Sequence, residues 1–178
     1  NNSNSSKLVA IKQGNYKISF NLVGANKSKA ATVTNPVEHA EDATELEKIT
    51  VLNKMISSVR YADILDSVDL EYVVNGNNVK ENIIVKERKD SYQYTFTIAL
   101  NNLEAEMAED GSVRICDPST KETVYNIPAG FMYDANGEYS GKIEFVLDNK
   151  APVIITTGID SGEVYNEEYR RMEIEISD

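Results

Sequence analysis

A run of oxygen-bearing side chains around Gly137 is the stretch of this sequence best suited to metal chemistry. Asp134, Asn136 and Glu138 alternate with Ala135 and Gly137. Calcium loops use such spacing because a tight turn lets several oxygen atoms converge on the ion at ~2.4 Å. The run lacks the length and the distal bidentate glutamate of an EF-hand. It therefore predicts either a calcium site at Asp134, Asn136 and Glu138 or a plain turn, and the plain turn is the simpler reading.

Nucleophilic catalysis has weak candidates in this chain. The chain holds one histidine, His39, and one cysteine, Cys116. A Cys–His pair needs spatial adjacency and a third group that orients the base, and no local signal supports either. No GxSxG elbow, P-loop, HExxH or CxxC pair is present. We expect His39 to be a solvated loop residue and Cys116 a half-buried structural thiol, so the sequence predicts no catalytic residue and no enzyme.

Paired carboxylates are the remaining chemical pattern. Glycosidases place two carboxylates across a sugar cleft. The chain has three pairs of carboxylates that lie close together in sequence: Asp63/Asp66, Asp69/Glu71 and Glu104/Glu106. Strand alternation makes Glu104 and Glu106 a solvated face more simply than a cleft. A Lys–Asn isopeptide bond, from Lys80 with Asn82 or from Lys17 with an asparagine of another strand, is a further alternative.

Charge excludes some partners at this stage. Eighteen basic and 29 acidic residues give a net charge of −11. That field repels nucleic acid and anionic membrane surfaces, since phosphate binding needs a basic stripe. No apolar run approaches the ~20 residues that span a bilayer. The expected partners are a cell-wall component or a protein, together with neighbouring modules of the same chain, and neither nucleic acid nor an inserted membrane.

Strand periodicity dominates the chain, most clearly in residues 92–100. Five large side chains there recur at every second position, which predicts one buried face of a β-strand. They are Tyr92, Tyr94, Phe96, Ile98 and Leu100. Val68, Leu70, Tyr72 and Val74 repeat the pattern, and Leu103, Ala105 and Met107 are predicted to face inward in the same way. Packing therefore explains the tyrosines before any binding role does.

Turn signals recur every eight to twelve residues, which is typical of an antiparallel all-β sandwich or barrel, and a sandwich is the fold predicted here. Asp110-Gly111 is the strongest hairpin signal. At most one short helix is expected, around residues 42–57, where neither Gly nor Pro occurs. The domain prediction is a disordered linker at 1–6 and a β-sandwich module at 7–148. Residues 149–178 are either a linker with a partial immunoglobulin-like module or extra strands on the main domain.

Five motifs, taken in order, resemble a known bacterial module. They are residues 59–63, 68–72, 79–86, 109–113 and 127–135. Their order and spacing are similar to the β-rich module near the N-terminal part of large secreted wall-associated proteins of Gram-positive bacteria, which often carry DNRLRE-type domains and RHS/YD repeats. The chain departs from that family at Gly130, where a proline is common. Residues 151–178 resemble the opening of bacterial immunoglobulin-like repeats.

The resemblance implies an extracellular, cell-wall-linked and modular context, and it supplies no catalytic residues. The expected function is a non-catalytic module that spaces or presents parts of a surface protein. The alternatives are a carbohydrate- or protein-binding adhesin module, with or without calcium at Asp134, Asn136 and Glu138, and a hydrolase that uses one of the acidic pairs.

Overall fold

The computed structural model describes residues 8–26, 31–34, 56–89, 91–149, 153–159 and 170–176. These ranges form strands and no helix, which confirms the all-β prediction. The strands are β1 (Val9–Gln13), β2 (Tyr16–Leu22), β3 (Ala31–Thr34), β4 (Ile56–Leu65), β5 (Val68–Asn75), β6 (Asn78–Val85), β7 (Tyr92–Asn101), β8 (Glu104–Met107), β9 (Val113–Cys116), β10 (Thr123–Ile127), β11 (Phe131–Asp134), β12 (Tyr139–Ser140), β13 (Glu144–Asp148), β14 (Val153–Ile159) and β15 (Arg170–Ile176). The described residues contain no helix that is long and apolar enough to cross a membrane.

The strands form three antiparallel sheets. The five-stranded sheet has the order β1-β2-β7-β14-β13, and the seven-stranded sheet has the order β12-β11-β15-β6-β5-β4-β3. A smaller sheet, β10-β9-β8, completes the core. Strands β4, β5 and β6 form a meander in the seven-stranded sheet, with Gly76 at positive φ in the β5–β6 turn. Residues 68–74, 79–86 and 92–100 do not form a meander together, because β7 pairs in the five-stranded sheet.

The alternation predicted for β7 is confirmed. Tyr92, Tyr94, Phe96 and Ile98 are buried, whereas Gln93 and Ala99 are exposed. A two-residue period puts these large side chains on one face, and that face packs into the common core. The aromatics of β7 are therefore scaffold.

The inward prediction is wrong for two side chains at strand ends. Val74 is 42% exposed and Met107 is 39% exposed. Val74 lies beside the hairpin turn at the end of β5, and Met107 is the last residue of β8, an edge strand of the small sheet. Alternation continues there, but no element among the described residues covers either position.

Several predictions fall on other parts of the chain. The linker at 1–6 and the predicted helix up to residue 55 lie outside the described residues, and Ile56 and Ser57 already belong to β4. In the segment 149–178, β14 pairs with β7 and β13, and β15 pairs with β6 and β11. This pairing corresponds to the alternative in which the segment adds extra strands to the main domain. The domain boundaries themselves stay a prediction.

Polar side chains tie the sheets to one another. The Tyr16 hydroxyl donates to Oδ2 of Asp117 at 2.6 Å, which joins β2 to the turn after β9. The Tyr61 hydroxyl, on β4, donates to the carbonyl of Leu8 at 3.0 Å. Each bond spans more than fifty residues of sequence, so the sheets are held as one cooperative unit rather than as independent hairpins.

Gly130 allows a close approach between the loop before β11 and the segment leading into β13. A Cβ at Gly130 would stand 2.9 Å from Cγ2 of Ile143 and 3.3 Å from the ring of Phe145. Ile143 and Phe145 are both buried, so neither can move away freely. Glycine at this position therefore has a packing reason.

We predict that Gly130→Ala lowers the free energy of unfolding by about 1–3 kcal/mol, because the added methyl group overpacks the core. Urea unfolding of the chain measures the change. Gly141→Ala is the matched control, since a Cβ there meets only the Tyr139 side chain, at 3.4 Å. Equal effects of the two substitutions would contradict the packing explanation.

Candidate functional site

The predicted calcium turn folds around one carboxylate. Asp134, the last residue of β11, is buried, and its Oδ1 accepts the backbone N–H of Asn136 and of Glu138, each at 2.9 Å. The Gly137 N–H donates to the Asp134 carbonyl at 3.0 Å, and Gly137 has a φ of +85°. The turn is thus held by its own hydrogen bonds, with the exposed side chains of Asn136 and Glu138 around it.

These hydrogen bonds constrain calcium binding. Oδ1 of Asp134 already accepts two N–H groups, whereas calcium needs six to eight oxygen ligands. Across the described ranges, no three His, Cys, Asp or Glu side chains are grouped so as to hold a metal ion. Calcium at Asp134, Asn136 and Glu138 stays a prediction.

A cluster of charged side chains is centred on Asp69, a member of the candidate carboxylate pair Asp69/Glu71. Asp69 is only 3% exposed. Arg60 Nε and Nη2 donate to its Oδ2 at 3.0 and 2.6 Å, and Lys86 Nζ lies 2.8 Å from its Oδ1. Lys86 also pairs with Asp63. Sequence reasoning missed this cluster because its members come from two strands, β4 and β5, and from the segment after β6.

The Asp69 cluster holds a bulge in β4. Between the pairs Tyr61–Leu70 and Leu65–Val68, β4 has two more residues than β5. Asp63 lies in this bulge at a φ of 49°, and its N–H donates to Oδ1 of Asp69 at 2.7 Å. Bulged strands leave backbone groups without ladder partners, so the carboxylate satisfies a donor that the sheet does not.

The pKa of Asp69 follows from these contacts. Burial acts to raise the pKa, but the hydrogen bonds from Lys86, the Asp63 N–H and Arg60 together bring it below the ordinary value of 3.8. The Lys86 ammonium, for its part, has a raised pKa because Asp63 and Asp69 accept its hydrogen bonds. A protonated lysine is not a nucleophile, so this cluster is an ion pair and not an isopeptide site.

The carboxylates of the pair Glu104/Glu106 do not form a cleft. Glu104 and Glu106 contact Lys121 and Arg114 respectively on the surface of the small sheet. Cys116 is buried, with Sγ 3.8 Å from Oε1 of Glu106, and His39 lies outside the described residues. Lys80 and Asn82 lie on the same strand, while Lys17 pairs in register with Asn101.

Glu81 is a buried carboxyl that the sequence interpretation missed. It is 2% exposed and lies on β6 in phase with the buried Val79, Ile83 and Val85. That phase was readable from the sequence, since a charged residue at an inward position breaks the apolar alternation. Burial raises the pKa of its carboxyl from 4.5 to about 7.

An aromatic pair marks the outer surface of the seven-stranded sheet. Tyr139 is 68% exposed, and its ring centroid lies 5.7 Å from that of Phe131. Lys80 Nζ lies 6.0 Å from the centroid of Phe131. Tyr133 pairs in register with Tyr139 on the adjacent strand. The group presents apolar ring faces beside a cation.

The fold thus defines a class, an antiparallel multi-sheet β-module with buried carboxylates and no assembled catalytic cluster among the residues described. No family model matches the chain, and no solved structure matches it. Curated relatives do match. One is the "tRNA(Glu)-specific nuclease WapA" of Bacillus subtilis subsp. natto, 28% identical over 138 residues. Others are the "tRNA3(Ser)-specific nuclease WapA" of Bacillus spizizenii and the "tRNA nuclease WapA" of Bacillus subtilis strain 168, each 25% identical over 137 residues.

These alignments cover 76% of this chain but only 5% of each relative. WapA denotes wall-associated protein A, so the relatives support the cell-wall context that the resemblance implied. RHS repeats, an immunoglobulin-like module and adhesion have no such support.

Three predictions are corrected by the relatives. The resemblance to a module of DNRLRE- and RHS/YD-containing proteins is wrong as stated, because no family model matches and the relatives are WapA tRNA nucleases. The predictions of no enzyme and no nucleic-acid partner are also wrong, because all three relatives are named for acting on tRNA.

We predict that Asp69→Asn lowers the free energy of unfolding at pH 7 by about 2 kcal/mol, because charged hydrogen bonds to Arg60 and Lys86 are lost. Since the folded pKa of Asp69 is lowered, its contribution is present above pH 3.8 and is lost as the pH falls below that value. Urea unfolding at pH 7 and pH 3 measures both effects.

Asp66→Asn is the control for that substitution, because Asp66 lies exposed in the turn between β4 and β5. The wild type and the Asp66 variant should lose stability in acid by similar amounts, and the Asp69 variant by less. An Asp69 variant as stable as the wild type at pH 7 would contradict the stabilising role of the Asp69 cluster.

Proposed function

We propose that the chain is a module of a large bacterial wall-associated protein that acts on tRNA, and that the module spaces or presents other parts of that protein at the cell surface. The observation that carries the proposal is the similarity to three WapA tRNA nucleases along 76% of this chain. Secretion and location at the cell wall belong to the same proposal.

The architecture supports a spacing role. β14 and β15 each pair inside one of the two large sheets, and the Tyr16–Asp117 and Tyr61–Leu8 bonds join elements distant in sequence. Cooperative units of this kind resist local opening better than isolated hairpins. A rigid unit fixes the distance between whatever precedes and follows it.

The experiment uses the full-length protein in its bacterial host. We expect the purified full-length protein to cleave tRNA, and we expect deletion of residues 8–149 to reduce the fraction of the protein retained on isolated cell walls. Full-length protein with Gly141→Ala is the control, because its wall retention should equal that of the wild type. Incubation of tRNA with the 178-residue chain alone establishes whether this segment takes part in cleavage.

Two results would contradict the proposal separately. A full-length protein that cleaves no tRNA would remove the nuclease assignment. Unchanged wall retention and unchanged surface exposure after the deletion would remove the presentation role.

A carbohydrate-binding role is the second candidate, and the aromatic pair Phe131–Tyr139 favours it. Exposed aromatic faces stack on the apolar faces of sugars, and Lys80 beside them offers hydrogen-bond donors. This role is compatible with presentation, because a module at the wall lies among polysaccharides.

We predict that Tyr139→Ala weakens binding of the chain to purified wall polysaccharide about tenfold, which corresponds to about 1.4 kcal/mol. Sedimentation of the chain with the polysaccharide measures it. Val146→Ala is the control, because Val146 is 63% exposed on β13 at the edge of the other large sheet. Absence of wild-type binding, or equal binding by all three proteins, would remove this role. Repeating the titration with calcium, and with Glu138→Gln, tests whether the turn at 134–138 contributes.

A further inference from the structure

Glu81 lies where the three sheets meet. It borders a small cavity of about 20 Å³. The other lining residues are apolar and come from five strands: Phe20, Phe96, Ile98, Ile127, Phe145 and Ile155. Among the residues that the structure describes, no second charged side chain lines this cavity.

The neighbours of Glu81 on its own sheet offer one polar group. Tyr72 is its register partner on β5, and Ile174 is its register partner on β15. The Tyr72 hydroxyl is buried and makes no hydrogen bond of standard geometry within the described residues. It lies near enough to lower the pKa of Glu81 somewhat, against the larger effect of burial. Tyr61, the other titratable group near Tyr72, is neutral at physiological pH because burial raises its pKa.

An ionised carboxylate at this place lacks solvation. A buried charge without a cationic partner or hydrogen-bond donors costs several kcal/mol. The cavity has room for about one water molecule, and a stable buried water needs two to four polar partners. The Glu81 carboxyl and the Tyr72 hydroxyl alone are too few polar partners to hold the water molecules that would solvate the charge. Ionisation therefore favours any conformation that admits more water.

We propose that Glu81 is a built-in pH switch, whose ionisation loosens the contact between the five-stranded and seven-stranded sheets. In acid the neutral carboxyl is tolerated in the core and the sheets stay closed. As the medium becomes neutral and then alkaline, the carboxylate draws water between the sheets. The switch concerns this chain's own packing and is independent of the function proposed above.

The direction of the stability change follows from linkage. Below pH 4.5 the carboxyl is protonated in both the folded and the unfolded chain, so it costs the fold nothing extra. Between pH 4.5 and about 7 the unfolded chain ionises first, and the folded state loses relative stability as the pH rises. Above about pH 7 the loss is complete. Because one pKa unit is a factor of ten, the folding equilibrium constant should fall by up to about 300-fold across this window.

The experiment compares the 178-residue wild-type chain with Glu81→Gln and Glu144→Gln by urea unfolding from pH 4.5 to pH 8. Glu144 is exposed on β13, so its variant should follow the wild-type profile. The Glu81 variant should lack most of the loss of stability that the wild type shows between pH 4.5 and about 7. Both proteins contain His39, so subtracting one profile from the other removes its contribution. Parallel profiles for the wild type and the Glu81 variant would overturn the proposal.

A second measurement separates loosening from a purely global effect. Amide hydrogen exchange, corrected for the intrinsic rate at each pH, should speed up at β6 and β7 between pH 5 and pH 8, relative to β9 of the small sheet. The Glu81 variant should show no such contrast. Equal acceleration in both proteins would overturn the loosening. If the variant does not fold, ¹³C NMR titration of the Glu81 carboxyl in the wild type replaces it. A titration midpoint near the ordinary 4.5 overturns the switch. A midpoint near 7, together with faster exchange at β6, supports it.

Discussion

The inner face of β7 is the constraint on which most of this fold depends. Tyr94, Phe96 and Ile98 must point into the core, and a register slip of one residue would turn all three to solvent. Because β2 and β14 pair on either side of β7, this requirement also fixes their registers. The registers of β1 and β13 then follow, because β1 pairs with β2 and β13 pairs with β14. The facing sheet then has to supply an apolar surface of matching extent, and β6 does so except at Glu81.

Local alternation predicted the all-β fold and the buried face of β7, because burial along a central strand depends on a period that the sequence displays. It failed at Val74 and Met107, where burial depends on whether another element covers a strand end. It also left open how residues 149–178 pair, since β14 and β15 find their partners far away in sequence. The turn at 134–138 was predicted as a turn, but the role of Asp134 as acceptor for two backbone N–H groups depends on a geometry that spacing alone does not give.

The charge argument failed for a reason of scale. Electrostatic influence in physiological salt decays over about 8 Å, so a net charge of −11 bears only on partners that would contact the surface of this chain. The relatives extend about twentyfold beyond the aligned region. In general, a local basic surface suffices to bind nucleic acid, whatever the net charge of a distant segment. The absence of catalytic motifs in 178 residues likewise describes this chain alone.

Asp69 and Glu81 show why a buried acid cannot be interpreted from its own strand. They lie on the adjacent strands β5 and β6, on opposite faces of one sheet, and both are almost fully buried. Arg60, Lys86 and a bulge N–H surround Asp69, so its pKa falls, while apolar side chains surround Glu81, so its pKa rises. The partners of Asp69 come from β4 and from the segment after β6, and the side chains that line the cavity beside Glu81 come from the other two sheets. Stability therefore responds to pH in opposite directions at the two acids, and only the three-dimensional assembly sets which direction each one takes.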